Sequence, residues 1–382
     1  MNLSVGNSLL QAPLLPTYPP AKATFVEGDG VHLVDADGRR YLDFAAGIAV
    51  VSLGHRHPAP LAAAHAQLDR LWHASNLYTT EPAAELAAVL SARFGGAQAF
   101  FCNSGAEAVE AAVKYARKAT GKPGVIAVEG SFHGRTLGAL AVTGQPAKRA
   151  GFDPLGPARF AGPNDVRALH AAAGDDVGLV MLEPVLGEGG VIPLQPSFLA
   201  AAADLARELG AILAFDEIQT GVGRTGTFFA WEQAGVKPQL VTLAKGLANG
   251  LPIGCLLVSD EAPRGFVPGD HGSTFGGNPV ACAAACAVCA TVDDDLLAAV
   301  RENGERLAAG LATLPGVIEV RGAGLLVGAV LDRPAQPVVD AALDAGLVTL
   351  VAGANVLRLA PPLVVGADDV DLALRILTEV LA

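Results

Sequence analysis

The chain has 382 residues with 26 basic and 38 acidic side chains, which gives a net charge of −12. Hydrophobic residues make up 51% and charged residues 17%, a composition that excludes intrinsic disorder and predicts one large and one smaller domain. The acidic balance disfavours nucleic acid, because phosphates bind basic surfaces. Mean hydropathy is +0.41, but no uninterrupted apolar run of about 18 residues predicts a membrane span.

Two further features concern the compartment. The chain begins MNLSVGNSLL, without the basic and apolar stretches of a secretory signal. Its five cysteines are an odd number, which suits a reducing cytoplasm better than a disulfide framework. We therefore expect a cytoplasmic protein that binds neither membranes nor nucleic acid.

The predicted elements start with an arm and a hairpin. Residues 1 to about 20 are polar or proline-rich and predict the arm, and 31–44 predict a β-hairpin around Asp37-Gly38. Further strands are predicted at 99–102, 125–128, 177–182, 211–215, 240–244 and 254–258, and helices at about 105–119 and 197–209. These strands are continuously apolar, which is typical of a parallel sheet covered by helices on both faces.

The last hundred residues predict a smaller α+β domain. Its elements are a helix near 279–312 that bridges both parts, strands at 317–320, 325–330 and 356–359, and helices near 337–345 and 367–381. We therefore predict an N-terminal arm and small-domain hairpin at 1–50, a large domain at 51–280 and a C-terminal α+β domain at 281–382.

Three features could bind one cofactor. Lys245 is the one lysine of seven that follows a buried-looking strand, where partial desolvation lowers an amine pKa and favours Schiff-base chemistry. Asp216 closes the strand at 211–215. Ser104 and Glu107 match a capping box at a helix start, which offers free N–H groups to an anion.

Taken alone, the lysine is more often a surface residue and the helix cap more often binds nothing, while the aspartate is as often a buried loop cap as a functional group. Together they fit pyridoxal phosphate (PLP), whose aldehyde needs an amine, whose ring nitrogen needs an anion and whose phosphate needs N–H donors.

The motifs resemble those of the class III PLP-dependent aminotransferases of fold type I. They are SGAEAVE (104–110), EGSFHGRT (129–136), EPVLGEGG (183–190), FDEIQTGVGRTG (215–226), LAKG (243–246) and HGSTFGGNP (271–279). GIAVVSLGHRHP (47–58), NLYTTEP (76–82) and AGANVLRLAPPLVV (352–365) narrow the resemblance to N-acetylornithine aminotransferases of arginine biosynthesis. The resemblance implies a mostly parallel central sheet with helices on both faces, plus a smaller α+β domain.

The resemblance also implies roles for residues around the cofactor. Lys245 would bind the PLP aldehyde as a Schiff base and later move a proton. Asp216 would keep the ring nitrogen protonated, and Gln219 would contact the ring oxygen. Phe132 would stack on the ring.

The phosphate would be held by the helix start and by a second subunit. Ser104, Gly105 and Ala106 would bind the phosphate of their own subunit. Thr274 would reach the phosphate of the neighbouring subunit, which makes a homodimer with shared active sites part of the prediction.

The substrate side depends on arginines, because a guanidinium binds a carboxylate through two hydrogen bonds. Arg135 and Arg358 are the predicted carboxylate ligands, although surface arginines would be the more frequent interpretation without the motifs. Glu188 would neutralise Arg358 when a substrate lacks a second acidic group. Ile48 stands where ornithine δ-aminotransferases carry a tyrosine, and an apolar residue there suits an N-acylated substrate.

Three motifs are given structural interpretations. Gly221–Gly226 matches G-x-G-x-x-G but does not directly follow a strand, so we predict an active-site loop rather than a dinucleotide site. Cys282, Cys286 and Cys289 are spaced like an apolar helix stripe rather than an iron–sulfur site. His55 and His57 have no accompanying ligand cluster, so no metal is predicted.

The predicted reaction is ping-pong transfer of the δ-amino group of N2-acetyl-L-ornithine to 2-oxoglutarate. Its products are N-acetyl-L-glutamate 5-semialdehyde and L-glutamate. Aminotransferases of succinylornithine, succinyl-diaminopimelate or another ω-amine such as 4-aminobutyrate remain alternatives, since they would share the same catalytic residues. A PLP-dependent decarboxylase or aminomutase and a catalytically silent binding protein are the alternatives from other classes.

Overall fold

A computed structural model describes residues 14–382; the first thirteen residues, and with them most of the predicted arm, lie outside the described residues. The strands are β1 (Phe25–Asp29), β2 (His32–Asp35), β3 (Arg40–Asp43), β4 (Ala97–Cys102), β5 (Gly124–Val128), β6 (Ala158–Ala161), β7 (Val177–Leu182), β8 (Val185–Leu186), β9 (Ile192–Pro193), β10 (Ile212–Asp216), β11 (Leu240–Leu243), β12 (Gly254–Ser259), β13 (Val317–Ala323), β14 (Leu326–Leu331), β15 (Leu347–Val348), β16 (Leu350–Val351) and β17 (Val356–Leu359).

The helices of the same range are α1 (Ala46–Ala49, a single turn), α2 (Pro58–Leu68), α3 (Glu81–Phe94), α4 (Gly105–Thr120), α5 (Leu137–Val142), α6 (Pro146–Arg149), α7 (Val166–Ala171), α8 (Pro196–Leu209), α9 (Trp231–Ala234), α10 (Pro279–Thr291), α11 (Asp294–Leu311), α12 (Ala335–Asp344) and α13 (Ala367–Leu381). A 3-10 turn covers Lys245–Ala248. None of the helices in the described range is long and apolar enough to cross a membrane.

The central sheet has seven strands in the order β4-β12-β11-β10-β7-β5-β6. Only β12 runs antiparallel to its neighbours, because the short connection after β11 leaves no room for a helical crossover. Since β4 and β11 are both antiparallel to β12, they point the same way, and the carboxyl ends of β4, β10 and β11 meet at one edge. The predicted, mostly parallel sheet is confirmed.

The strands of this sheet form because apolar side chains cover both of their faces. Every residue of β5, β7, β10 and β11 is buried. Helix α4 packs on one face through a continuous set of buried small and aliphatic residues, and α8 contributes to the core on the other face. The predicted strand and helix positions therefore agree with the structure to within one or two residues.

The N-terminal and C-terminal parts are joined by strand pairing. The predicted hairpin is present as β2 and β3, and an unpredicted strand, β1, extends it. β15 from the C-terminal part pairs in parallel with β3. A separate antiparallel sheet, β13-β14-β17-β16, carries the C-terminal core.

The single bridging helix predicted near 279–312 is wrong. The chain forms two helices, α10 and α11, separated at Val292 and Asp293. Asp293 has an extended backbone, and its side chain accepts the N–H of Leu296 at 2.9 Å as a new N-cap. The predicted cysteine stripe does lie on α10, with Cys282 and Cys289 buried in the core and Cys286 half-buried.

Candidate active site

A cavity of about 400 Å³ opens at the carboxyl edge of the central sheet. The structure brings eight of the sequence-predicted residues into its lining: Ser104, Gly105, Ala106, Phe132, Arg135, Asp216, Gln219 and Lys245. Asp216 ends β10, Lys245 follows β11 and Ser104 follows β4. The three features that sequence reasoning considered separately therefore face one space.

Asp216 is buried and its carboxylate is fixed on both oxygens. Its Oδ2 lies 2.6 Å from Nδ1 of His133, and its Oδ1 accepts hydrogen bonds from the Thr242 hydroxyl at 3.0 Å and the Ile218 N–H at 3.1 Å. Burial alone would lower the pKa of His133, but the hydrogen bond and the charge of Asp216 outweigh it and raise that pKa. Three hydrogen-bond partners thus hold the Asp216 carboxylate in place.

His133 was missed by sequence reasoning, which quoted EGSFHGRT but gave this histidine no role. It is buried, and its Nε2 has no hydrogen-bond partner among the described residues. Its position directly after Phe132, a residue predicted to contact the cofactor, could have indicated a role in the site. The 83-residue separation from Asp216 hid the contact.

Lys245 presents an amine whose ionisation is weakened by its surroundings. Burial lowers its pKa to about 8; Glu188 opposes this shift, whereas the charge of Arg358 adds to it. Its backbone has a left-handed φ of 41° at the start of the 3-10 turn. A substantial neutral fraction near this pH makes the amine a nucleophile and a proton acceptor.

The start of α4 lines the cavity and carries the predicted helix cap. The Ser104 hydroxyl accepts the Glu107 N–H at 3.3 Å, but the Glu107 carboxylate accepts the N–H of Asn103 at 2.6 Å rather than that of Ser104. The predicted capping box is therefore present on the serine side, whereas the glutamate bonds to the N–H one residue earlier than predicted. The N–H groups of Gly105 and Ala106 at the helix start have no intrahelical acceptor, and both residues line the cavity at the positive end of the helix dipole.

Gly105 has a steric reason to be glycine. A Cβ at this position would lie 2.7 Å from the Cδ1 of Ile218. A side chain here would therefore require Ile218, in the loop that follows Asp216, to shift.

Phe132 forms an aromatic wall of the cavity, and a buried carboxylate supports it. The Phe132 N–H donates to Oε1 of Glu183 at 2.7 Å, and the Gly187 N–H donates to Oε2 at 3.2 Å. Burial raises the pKa of Glu183 to about 7. Glu183 was also missed, although it opens the EPVLGEGG motif.

Arg358 and Glu188 lie beside the cavity rather than in its lining. Arg358 is 2% exposed, and its Nη1 lies 2.5 Å from Oε1 of Glu188. The same nitrogen donates to the Gly187 carbonyl and to Oε1 of Gln219, each at 3.0 Å. Burial opposes ionisation of Glu188, but Arg358 outweighs it and lowers the Glu188 pKa. Gln219 thus connects the ion pair to the cavity.

The remaining predicted residues are more exposed. Arg135 lies at the rim, with its guanidinium carbon 5.7 Å from the centre of the Phe132 ring. Ile48 is 44% exposed. Thr274 is exposed and lines a different cavity, beside Asn76, so it does not face the cavity of its own chain.

The motifs that were given structural interpretations have structural contacts. The loop Gly221–Gly226 is buried, and the Arg224 side chain donates to the carbonyls of Leu325 and Pro361. Nε2 of His55 lies 2.8 Å from Oδ2 of Asp43, and Nδ1 of His57 accepts the Ala59 N–H at 3.3 Å.

The comparisons agree on one family. The model of the class III aminotransferases matches residues 16–381. The chain is 48% identical to the acetylornithine aminotransferase of Mycolicibacterium smegmatis, over 97% of this chain and 96% of that protein. It is 47% identical to the acetylornithine aminotransferase of Gloeobacter violaceus, over 96% of this chain and 95% of that protein.

Solved structures give the same answer. The N-acetylornithine aminotransferase of Stenotrophomonas maltophilia is 37% identical with a TM-score of 0.83, covering 95% of this chain and 96% of that one. The ornithine aminotransferase of Toxoplasma gondii, with PLP at partial occupancy in its active site, is 30% identical with a TM-score of 0.92. That comparison covers 98% of this chain and 92% of the other.

Proposed function

This chain belongs to the class III aminotransferases, and we propose that it transfers the δ-amino group of N2-acetyl-L-ornithine to 2-oxoglutarate in arginine biosynthesis. The products are N-acetyl-L-glutamate 5-semialdehyde and L-glutamate. The observation that carries this conclusion is the match, over nearly the full length, to acetylornithine aminotransferases at 43–48% identity. The cavity that unites Lys245, Asp216 and the start of α4 is the site we assign to this reaction.

The residues present fit PLP. The cavity combines an amine, a buried carboxylate, an aromatic wall and a helix start with free N–H groups, which match the aldehyde, ring nitrogen, ring face and phosphate of this cofactor. Lys245, Asp216, Phe132 and Gln219 would hold the aldehyde and ring. Ser104, Gly105 and Ala106 would hold the phosphate.

Bound PLP supplies an aldehyde carbon for the amino group and a cationic ring that withdraws electrons from the reacting carbon. The chain's own residues do the rest. Asp216, anchored by His133 and Thr242, provides a fixed negative charge that favours a protonated ring nitrogen. The Lys245 amine, once free, can accept a proton on one side of the reaction and return it on the other.

The substrate half of the site explains how one cavity can serve two substrates. Glu188 occupies the Arg358 guanidinium in this structure, as is required while a donor without a second acidic group is bound. When 2-oxoglutarate enters, its carboxylate replaces Glu188 on Arg358, and Arg135 at the rim binds the other carboxylate. With either substrate, the buried guanidinium of Arg358 therefore has a carboxylate partner.

A homodimer with shared active sites is part of the proposal. Thr274 lines a different cavity from that of Lys245 and Asp216, as expected if it reaches the phosphate in a second subunit. Large apolar side chains are exposed near it: Trp72, Leu77, Tyr78 and Phe275 are 62–88% exposed. Such a patch supports a covered interface.

Two further assignments remain proposals. The division into 1–50, 51–280 and 281–382 is supported by the pairing of β3 with β15, which attaches the N-terminal hairpin to the C-terminal part. A cytoplasmic location is supported by the five free cysteine thiols.

The test is a panel of amino donors mixed with the PLP-loaded enzyme, with the loss of cofactor absorbance followed in time. We expect acetylornithine to react fastest, ahead of succinylornithine, ornithine and 4-aminobutyrate. A faster reaction with one of the other amines would show that this amine is the preferred donor and that acetylornithine is not. Turnover that needs no 2-oxoglutarate would indicate a decarboxylase or aminomutase.

A further inference from the structure

The segment just after β3 has an unusual backbone. All four residues of α1 have positive φ: 47° at Ala46, 63° at Gly47, 68° at Ile48 and 60° at Ala49. Left-handed conformation is disfavoured for L-residues, and only one of the four is glycine. A β-branched residue such as Ile48 is especially unsuited to it. Contacts from outside the turn must therefore hold it.

The Asp43 carboxylate holds the start of the turn. It is 1% exposed, and its Oδ1 accepts the N–H groups of Ala45 at 3.0 Å and Ala46 at 2.8 Å. Its Oδ2 accepts a hydrogen bond from Nε2 of His55 at 2.8 Å. The histidine thus orients the carboxylate that caps the turn.

His55 is itself fixed by the N-terminal hairpin. Its backbone exchanges two hydrogen bonds with Gly30, of 2.7 and 3.0 Å. Its ring packs on Gly28, where a Cβ would lie 2.7 Å from the ring. The GHRHP motif, which the metal and cofactor interpretations leave unexplained, therefore has a defined place in the fold.

The residues that flank the turn contact the backbone next to Lys245 and the segment that follows Arg358. Val50, the residue after it, lines the cavity. The Ser52 hydroxyl donates to the Gly246 carbonyl at 2.9 Å, next to Lys245. The Ser52 carbonyl accepts the Leu363 N–H at 2.6 Å, in the segment that follows the strand of Arg358.

A second bond ties this segment to the strand of Arg358 on the other side of the turn. The Phe44 carbonyl accepts the N–H of Ala360, two residues after Arg358, at 2.7 Å. One short segment therefore touches the backbone beside the reactive amine and the backbone beside the substrate arginine.

We propose that Asp43 and His55 are positioning residues, which hold the left-handed turn and thereby set the spacing between the Lys245 amine and the Arg358 guanidinium. The proposal rests on the proposed function, since that function assigns a carboxylate of 2-oxoglutarate or glutamate to Arg358. Acetylornithine is bound while Arg358 pairs with Glu188, so its reaction depends less on this spacing.

The test is His55→Phe, which keeps a ring against Gly28 but removes the donor to Asp43. In the PLP-loaded enzyme we expect KM for glutamate and 2-oxoglutarate to rise about tenfold, the scale of one lost hydrogen bond. The acetylornithine half-reaction should stay within about twofold of wild type, and cofactor absorbance should be retained. His55→Gln, with an amide N–H near the place of Nε2, should restore most of the loss.

Two further variants keep the test decisive. Asp43→Asn preserves shape and should produce the same selective loss if His55→Phe fails to fold. His170→Asn, on the exposed end of α7, is the matched control and should change neither half-reaction. Equal losses with glutamate and acetylornithine, or no loss with either, would overturn the positioning role. Failure of the wild-type enzyme to react with acetylornithine would instead count against the proposed function.

Discussion

The cofactor wall of the cavity and the Arg358–Glu188 ion pair behind its lining, which we call the substrate wall, are built in different ways. On the cofactor wall, Asp216 and Lys245 belong to the ends of neighbouring strands, and the register that pairs Asp216 with Thr242 fixes them relative to each other. On the substrate wall, Arg358 comes from β17 of another sheet and Glu188 from a loop, and the two are joined by side-chain bonds.

Because of this difference, we expect the cofactor wall to determine whether the reaction occurs and the substrate wall to determine which substrates are accepted. A sheet register cannot shift without breaking a ladder of backbone hydrogen bonds, so the cofactor wall is rigid. An ion pair can exchange one partner for a substrate carboxylate without disturbing the backbone. We therefore expect substitutions on the cofactor wall to abolish turnover with every substrate, and those on the substrate wall to change the preference among substrates.

The largest effect is expected for Lys245→Ala. The variant loses the amine to which we assign both cofactor binding and proton transfer, so turnover should fall at least about 10³-fold. Borohydride treatment followed by mass spectrometry should show cofactor fixed to the wild-type chain but not to the variant. Lys237→Ala, at an exposed lysine, is the control; wild-type-like turnover of Lys245→Ala would refute the assignment.

The next effect concerns the substrate wall. Arg358→Gln removes a charge-assisted contact of about 1.5–3 kcal/mol, so KM for 2-oxoglutarate should rise about 10- to 100-fold. Steady-state kinetics should show a much smaller change for acetylornithine, because we propose that this donor binds while Arg358 pairs with Glu188. Arg333→Gln, at an exposed arginine paired with Asp332, serves as the control. A similar rise in KM for both substrates would contradict the separation between the two walls.

The sequence predicted the cofactor wall better than the substrate wall, for a physical reason. Asp216 and Lys245 each follow an apolar run, and apolar runs predict strands whose ends share one edge. The contacts between His133 and Asp216 and between Arg358 and Gln219 join residues 83 and 139 positions apart. No periodicity along the chain encodes such pairs, and Arg358 was found only through the family resemblance.

Two local features were hidden for another reason. The turn at Ala46–Ala49 contains a single glycine, so nothing in its sequence indicates four left-handed residues. The break between α10 and α11 lies within an apolar and helix-prone stretch, where only the run of aspartates after Val292 indicates a new helix start. At the turn, the Asp43 carboxylate and its contact with His55 stabilise the backbone, and at the break the N-cap of Asp293 does so.

A smaller effect is expected for Ile48→Tyr, at the position where the family resemblance indicates a substrate contact. A phenolic hydroxyl would accept a hydrogen bond from the free α-ammonium of ornithine. The preference for acetylornithine over ornithine should therefore fall several-fold, which is the effect of about one hydrogen bond. The ratio of the two half-reaction rates measures this change. Ile48→Leu is the control for the left-handed backbone. Comparable wild-type rates with ornithine and acetylornithine would remove the basis for this role of Ile48.

The smallest effect is a difference in the pH dependence of unfolding. Burial raises the pKa of Glu217, beside the cofactor wall, from about 4.5 to about 8. Its contribution to stability is therefore complete below about pH 4.5 and is lost as the pH rises through about 8. Glu188 has the opposite sign: Arg358 outweighs its burial and lowers its pKa, so its contribution is present above about 4.5 and is lost as the pH falls.

Glu217→Gln should therefore flatten the decline of the melting temperature between about pH 4.5 and 8, whereas Glu188→Gln should change the profile only at lower pH. Thermal unfolding of the two variants and the wild type across this range makes the comparison. Glu217 accepts the N–H groups of Ala230 and Trp231 at 2.7 and 2.9 Å, and an amide can accept only one of them, so some stability should be lost at every pH. That uniform loss does not change how steeply the melting temperature falls with pH. If the melting temperature of Glu217→Gln falls as steeply as that of the wild type, the two backbone N–H donors stabilise the ionised carboxylate enough to offset its burial.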